Sequence, residues 1–153
     1  MADETGGAAP ETQLQTEDTT DVIGYRLRRA QLSVFKNFKA AFEAFDLRPA
    51  EYSVLVLIAK NPGRKQTEFA EVLGIKRANF VTLINRLEKR GLIERRVAAG
   101  DRRANALHLT PAGDAFVARI RKTQDTFEAQ YIEKVGGIEQ RDALFSLLDR
   151  LLD

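Results

Sequence analysis

Between Gln66 and Gly113 the chain presents, in fixed order, a short helical run, a glycine, a second amphipathic helix and a basic hairpin. Few folds accommodate that order. In the first run Phe69, Val72 and Leu73 are expected to face inward, and Gly74 sits where a left-handed residue ends a helix. Only Ile75 and Lys76 separate it from the second helix, read from Arg77 to Arg90. There Phe80, Leu83, Ile84 and Leu87 recur at the spacing of a stripe that packs on a core. Ala78, Asn79, Thr82, Asn85, Arg86 and Lys89 fall on the other side, with Glu88 to the flank. Amides, a hydroxyl and cations without a carboxylate make a donor-rich face suited to base edges and phosphates. A tight turn around a glycine is how a helix-turn-helix presents its second helix to a major groove, but it equally joins two core helices.

The next segment favours the first reading. Leu92 to Val97 has strand character, Ala98 to Asn105 is a polar, turn-rich tip, and Ala106 to Thr110 alternates again. This is a hairpin attached to the second helix, a wing. Its tip holds Gly100, Asp101, Arg102 and Arg103, and an arginine at a hairpin tip suits a narrow, electronegative minor groove. Asp101 is expected to orient Arg103 through a bidentate pair. The alternative is a solvated charged turn. The expected DNA contacts are Lys65, Gln66, Thr67, Arg77, Asn79, Thr82, Asn85, Arg86, Lys89, Arg102 and Arg103.

Charge follows the same division. The net charge of the 153 residues is only +2, but from Lys60 to Arg103 twelve Lys or Arg stand against five Asp or Glu. A basic block of this kind is the electrostatic footprint of a nucleic-acid surface. The first 21 residues carry six carboxylates and no Lys or Arg. This acidic stretch, residues 1–20, has almost no large apolar side chain to offset the cost of ordering, and disorder is expected there. It has neither the basic start nor the apolar run of a signal peptide, and no later segment is long enough to span a bilayer, so no membrane partner and a cytoplasmic location are expected.

Zero cysteines remove disulfides, thiolate metal sites and thiol sensing. The single histidine, His108, has outward parity on the second wing strand and reads as solvent-facing or phosphate-contacting, with no metal site and no cofactor expected. No Ser-His-Asp or Cys-His set is persuasive. The best acid–base candidates, Glu43, Asp46 and Glu51 near Tyr52, do not amount to an enzyme site.

Helices flank the winged segment on both sides. Asp21 to Phe45 carries Leu32, Phe35, Phe38, Phe42 and Phe45 on a broad apolar face. Thr110 and Pro111 supply the N-cap and first turn of another helix, which runs through Phe116, Val117, Ile120, Phe127, Tyr131 and Ile132. After Gly136-Gly137 a last helix aligns Leu144, Leu147, Leu148 and Leu151. That is more apolar surface than one small domain hides comfortably, which points to an isologous two-fold interface built from the first and last helices. A monomeric bundle packing the same stripes internally is the alternative. The expected fold is mainly α with a small β-hairpin wing: one winged-helix domain over 21–153, with a DNA-binding core at about 47–110 and dimerisation helices at about 21–45 and 111–152.

Several stretches together resemble the MarR family of winged helix-turn-helix transcription regulators. They are Leu47-x-Pro-Ala-Glu-Tyr-x-Val-Leu55, Phe69-Ala-Glu-Val-Leu-Gly74, Arg86-Leu-Glu-Lys-Arg-Gly-Leu-Ile-Glu-Arg95, Asp101-Arg-Arg103 and Leu109-Thr-Pro-Ala-Gly113. The resemblance implies a homodimeric repressor on a pseudo-palindromic operator of double-stranded DNA, released by a small-molecule effector. Two departures stand out. Arg48-Pro49 replaces the family's frequent Ser or Thr before the proline, and Val81-Thr82 replaces a frequent Ser-Arg. The family's effector cleft lies between the dimerisation helices and the winged core, and its neighbourhood here would include Tyr25, Arg29, Phe35, Lys36, Arg48 and Tyr52. Aromatic and cationic side chains together suit an aromatic acid or an aromatic acyl-CoA, and the chain is similar to the branch governing aromatic-compound catabolism. The alternative function is a winged-helix protein–protein interaction module without ligand-controlled DNA binding.

Overall fold

The computed structural model describes residues 16–152, in the order α1 (Glu17–Thr20), α2 (Ile23–Ala41), a 3-10 turn (Glu43–Phe45), α3 (Pro49–Lys60), α4 (Gln66–Val72), α5 (Arg77–Lys89), β1 (Ile93–Ala98), β2 (Asp101–Leu109), α6 (Pro111–Val135) and α7 (Ile138–Leu152). It is mainly helical with one two-stranded antiparallel hairpin. The described chain divides into two compact units, one ending at Phe35 and the other beginning at Lys36.

In the first unit, the expected disordered tail lies outside the described residues as far as residue 15. Glu17–Thr20, for which disorder was also expected, forms one helical turn instead. Glu17 and Asp18 stand in its first turn, where carboxylates oppose the positive end of the helix dipole, and the Arg26 guanidinium donates to the Thr20 carbonyl. Leu27, Leu32 and Phe35 on α2 are exposed.

The second unit is built around aromatic rings. Phe38 and Phe42 stack with centroids 4.0 Å apart, and Phe127 of α6 meets Phe38 edge-on at 5.7 Å. Tyr52 closes on Phe42 from α3. The apolar face expected for the first helix is therefore split, with Phe38 and Phe42 buried while Leu32 and Phe35 stay exposed. Thr110 caps α6 as expected, its hydroxyl accepting from the Gly113 N–H at 3.0 Å. Gly113 is fixed by contact, because a Cβ there would lie 1.9 Å from the Leu92 carbonyl oxygen.

α4 ends as expected at Gly74, whose φ of +62° lets the Ile75 N–H reach the Ala70 carbonyl and its own N–H reach Glu71. One detail differs. Val72 is 73% exposed rather than inward, because Phe69, Ala70 and Leu73 define the inner face and Val72 lies beyond its edge. The wing also departs from its expected outline, since β2 begins at Asp101 and the turn shrinks to Ala99 and Gly100. Register passes from Val97 opposite Asn105 to Ala98 opposite Asp101, so Arg102, Arg103 and Ala104 form a bulge on the strand rather than part of a loop. A further segment was not foreseen: Gly63 donates to the Leu107 carbonyl and Leu107 to the Arg64 carbonyl, adding a short third line of pairing to β2. His108 accordingly sits half-buried against Gly63 rather than facing open solvent.

Candidate nucleic-acid interface

α5 separates its residues as the periodicity requires. Phe80, Ile84 and Leu87 are fully buried, while Arg77, Asn79, Thr82, Asn85 and Lys89 are exposed. Thr82 donates its hydroxyl proton to the Ala78 carbonyl one turn back, at 3.1 Å. Its outward chemistry is thus an acceptor oxygen and a methyl group.

Beside this face, Lys65, Gln66, Thr67, Asp101, Arg103, Ala104 and Asn105 line a groove of about 320 Å³ between the start of α4 and the wing. Five residues singled out from sequence therefore share one surface. Asp101 differs in its role. Its Oδ2 accepts from Lys65 Nζ at 3.0 Å and its Oδ1 from the Arg103 backbone N–H at 3.1 Å, so it fixes the main chain of the bulge instead of gripping the Arg103 guanidinium. The hydrogen bond from Lys65, then that from the Arg103 amide, hold the carboxyl below the usual aspartate range. Among the described residues Arg77, Lys89, Arg102 and Arg103 join no ion pair, leaving their charges for a polyanion.

Arg86 corrects the sequence reading. Expected to read bases from the outer face, it points toward the start of α3: Nη2 donates to Asp46 Oδ2 at 2.9 Å, and Nη1 stands 3.1 Å from Glu51 Oε1, an ion pair outside good hydrogen-bond geometry. Glu51 is 2% exposed, and its other oxygen accepts from the Arg48 N–H at 2.9 Å. This is the N3 half of a capping box; the half that a Ser or Thr hydroxyl before Pro49 would supply, accepting from a first-turn N–H, has no side-chain counterpart here. Arg90 continues the link, donating to the carbonyls of Asp46 and Phe45 across a left-handed Asp46. Sequence reading also missed Arg95 of β1. Its Nε donates to Gln66 Oε1 at 3.0 Å, its Nη2 to Asn85 Oδ1 at 2.7 Å, and its Nη1 to Glu88. One side chain thereby joins α4, α5 and the wing.

Residues 45–104 match the model of the MarR family. A candidate transcriptional regulatory protein for the hcr operon of Thauera aromatica is 34% identical over 130 residues, spanning 84% of this chain and 78% of its own. The chain belongs to the MarR family. Among solved structures, the transcriptional repressor CouR bound to a 23-mer DNA duplex aligns with a TM-score of 0.86 at 41% identity, over 93% of this chain and all of that one. CouR bound to p-coumaroyl-CoA aligns with a TM-score of 0.83 at 40% identity, covering 92% and 98%. The winged helix-turn-helix read from the residues is thus the fold of a MarR-family transcription regulator.

The side chains expected to bind an effector divide between the two units. In the first unit Tyr25 is half-buried, and Arg29 and Phe35 are exposed on α2. In the second, Lys36 and Arg48 are exposed, whereas Tyr52 packs between Phe38 and Phe42. Burial raises the Tyr52 phenol above its usual range, Arg121 opposes this, and Asp125 and Glu128 add to it. A cavity of about 460 Å³ lies instead against α6, lined by Ala41, Lys122, Thr123, Thr126, Phe127 and Gln130, and not by Lys36, Arg48 or Tyr52. Sequence reading missed it because its polar lining residues look, on a helical wheel, like an ordinary solvated face. No described helix is long and apolar enough to cross a membrane.

Proposed function

We propose that this MarR-family chain is a ligand-responsive DNA-binding repressor, a cytoplasmic homodimer released from a pseudo-palindromic operator by an aromatic acid or its CoA thioester. The observation that carries the DNA-binding part is the groove shared by Lys65, Gln66, Thr67 and Arg103, set beside the exposed donors of α5. Phosphates fit the groove and wing, while base edges fall to Asn79, Thr82 and Asn85. The DNA-binding core is residues 47–110. Residues 21–45 and 111–152 supply the dimer, consistent with α7, which buries none of its own residues and exposes Leu144, Phe145, Leu147 and Leu151. Two α5 helices related by a two-fold then meet half-sites about 10 bp apart, centre to centre.

The effector reading draws on the p-coumaroyl-CoA complex of CouR and on this chain's own residues. Tyr52 and Phe127 offer aromatic contacts, and Lys122 and Arg48 offer cations for a carboxylate or for CoA phosphates. Release requires that the effector bind the DNA-incompetent spacing of the dimer more tightly than the competent one. Asp46 and Glu51, the acids best placed for acid–base chemistry, are engaged by Arg86, which supports a reading without catalysis. The test is fluorescence anisotropy with DNA from the protein's own upstream region, followed by addition of p-coumarate or p-coumaroyl-CoA. Binding reversed by one of the two supports the proposal; binding unaffected by both removes its effector half.

A further inference from the structure

Arg95 does more than tie the wing to the helices. A guanidinium has five N–H donors and no acceptor, so whichever amide atom faces it must be oxygen. The amides of Asn85 and Gln66 both face Arg95, at 2.7 and 3.0 Å, and the third partner, Glu88, keeps the guanidinium in place with its charge. The Arg95 side chain is only 18% exposed, so the guanidinium itself is largely screened from solvent. Its consequence is that both amides are locked in one flip. Asn85 is exposed on the outer face of α5, and Gln66 lines the groove beside the wing. With their carbonyls held inward, each presents its NH2 group outward as a donor.

We infer that Arg95 is a specificity-determining positioning residue: by turning the Asn85 carbonyl toward itself, it leaves the NH2 group as the part of that amide that reads the groove, which favours guanine or thymine over adenine at one half-site position. The inference rests on the DNA-binding reading above. A free asparagine pairs with adenine by accepting from N6 while donating to N7. An asparagine whose carbonyl is turned toward arginine, and so away from the groove, meets adenine through its NH2 group at N7 alone, without the N6 half of that pair. Guanine O6 and N7 and thymine O4 are acceptors in the major groove and match the remaining donor, whereas adenine sets its N7 acceptor beside an unmatched N6 donor and cytosine offers only its N4 donor. Gln66, oriented the same way, gives the groove one more donor for a phosphate oxygen.

The test selects half-sites from a randomised DNA library with the wild-type dimer, N85A, N85D, R95K and R95K/N85A. Wild type should favour guanine or thymine at one position, and N85A should lose that preference there alone. Lysine gathers its donors on one nitrogen and lacks the rigid fork that reaches both amides and Glu88 from separate nitrogens, so R95K should loosen the Asn85 amide and admit adenine at the same position, reducing discrimination about tenfold. In the N85A background R95K should change nothing further at that position. N85D keeps a carboxylate oxygen on Arg95 but turns an acceptor outward, so its preference should invert toward adenine or cytosine, whatever the loss in total affinity. Thermal unfolding establishes that R95K is folded; should it not be, N85D, at an exposed position, decides alone. R95K binding every sequence more weakly by one common factor would make Arg95 merely structural and overturn the inference, as would a guanine or thymine preference surviving in N85D. Failure of wild type to bind any DNA is a different result, which removes the DNA-binding reading and this inference with it.

Discussion

Arg86 on α5 reaches back to Glu51 on α3, where a carboxylate 2% exposed stands 3.1 Å from the guanidinium. The same carboxylate caps α3 by accepting from the Arg48 N–H. One buried acid therefore fixes the start of one helix and the pitch of another.

Breaking that pair leaves a charge partly stripped of water and without its partner. E51Q should lower stability by about 2 kcal/mol, less than for a fully buried pair because the Arg86 side chain is 28% exposed and retains Asp46. R86M should cost a similar amount, and the double variant should cost clearly less than the sum. Urea unfolding of the three variants measures this; strictly additive losses would contradict the pairing.

Glycine is required where α6 begins and dispensable on α2. G113A drives a methyl group into the Leu92 carbonyl and should destabilise by at least about 2–3 kcal/mol. Gly24 has nothing within 4 Å of its Cβ position and lies within a helix, so G24A should be neutral or gain up to about 1 kcal/mol. Thermal melts of the pair give the comparison directly.

Asp101 is held below the ordinary aspartate range by Lys65 and by the Arg103 N–H. A depressed folded pKa means that its contribution to wing order is present at neutral pH and is lost as pH falls through the folded value. NMR titration of the Asp101 carboxyl should therefore give a midpoint below that of an unperturbed aspartate. K65M should raise the midpoint toward the ordinary value. An unchanged midpoint in K65M would show that Lys65 is not the cause.

Much of this arrangement was legible in the sequence because it depends on local periodicity. The buried stripe of Phe80, Ile84 and Leu87, the left-handed end at Gly74 and the Thr110 cap each involve residues within one or two turns of each other. What escaped notice depends on distant partners. Arg86 lies on the wheel beside its exposed neighbours, and only the return of Asp46 and Glu51 from about forty positions upstream turns it inward. Arg95 looked like one more cation on a basic strand until Gln66 and Asn85 converged on it. The wing boundary moved because a bulge keeps Arg102 and Arg103 in the strand where composition suggested a loop. Of the candidate site, the outer-face positions of α5 other than Arg86 and the grouping of Lys65, Gln66, Thr67 and Arg103 at the α4–wing groove were legible, whereas the cavity against α6 was not.

The exposed leucines of α7 bear on assembly. Leu147 and Leu151 are 57% and 56% exposed, and a dimer would cover them. L147K/L151K should elute as a monomer in size-exclusion chromatography with light scattering while wild type elutes as a dimer, and the variant should bind operator DNA far more weakly. A wild-type monomer would contradict the two-fold arrangement.

The central claim, that the α5 face and the α4–wing groove grip DNA, is tested most directly by anisotropy titration of upstream DNA with wild type and R103A across a range of salt concentrations. Wild type should show a steep linear fall of log affinity with log salt. R103A should bind more weakly, with the slope reduced by about 0.9, as expected for loss of one phosphate neutralised by Arg103. Equal affinity and equal slope for the two proteins would contradict the claim.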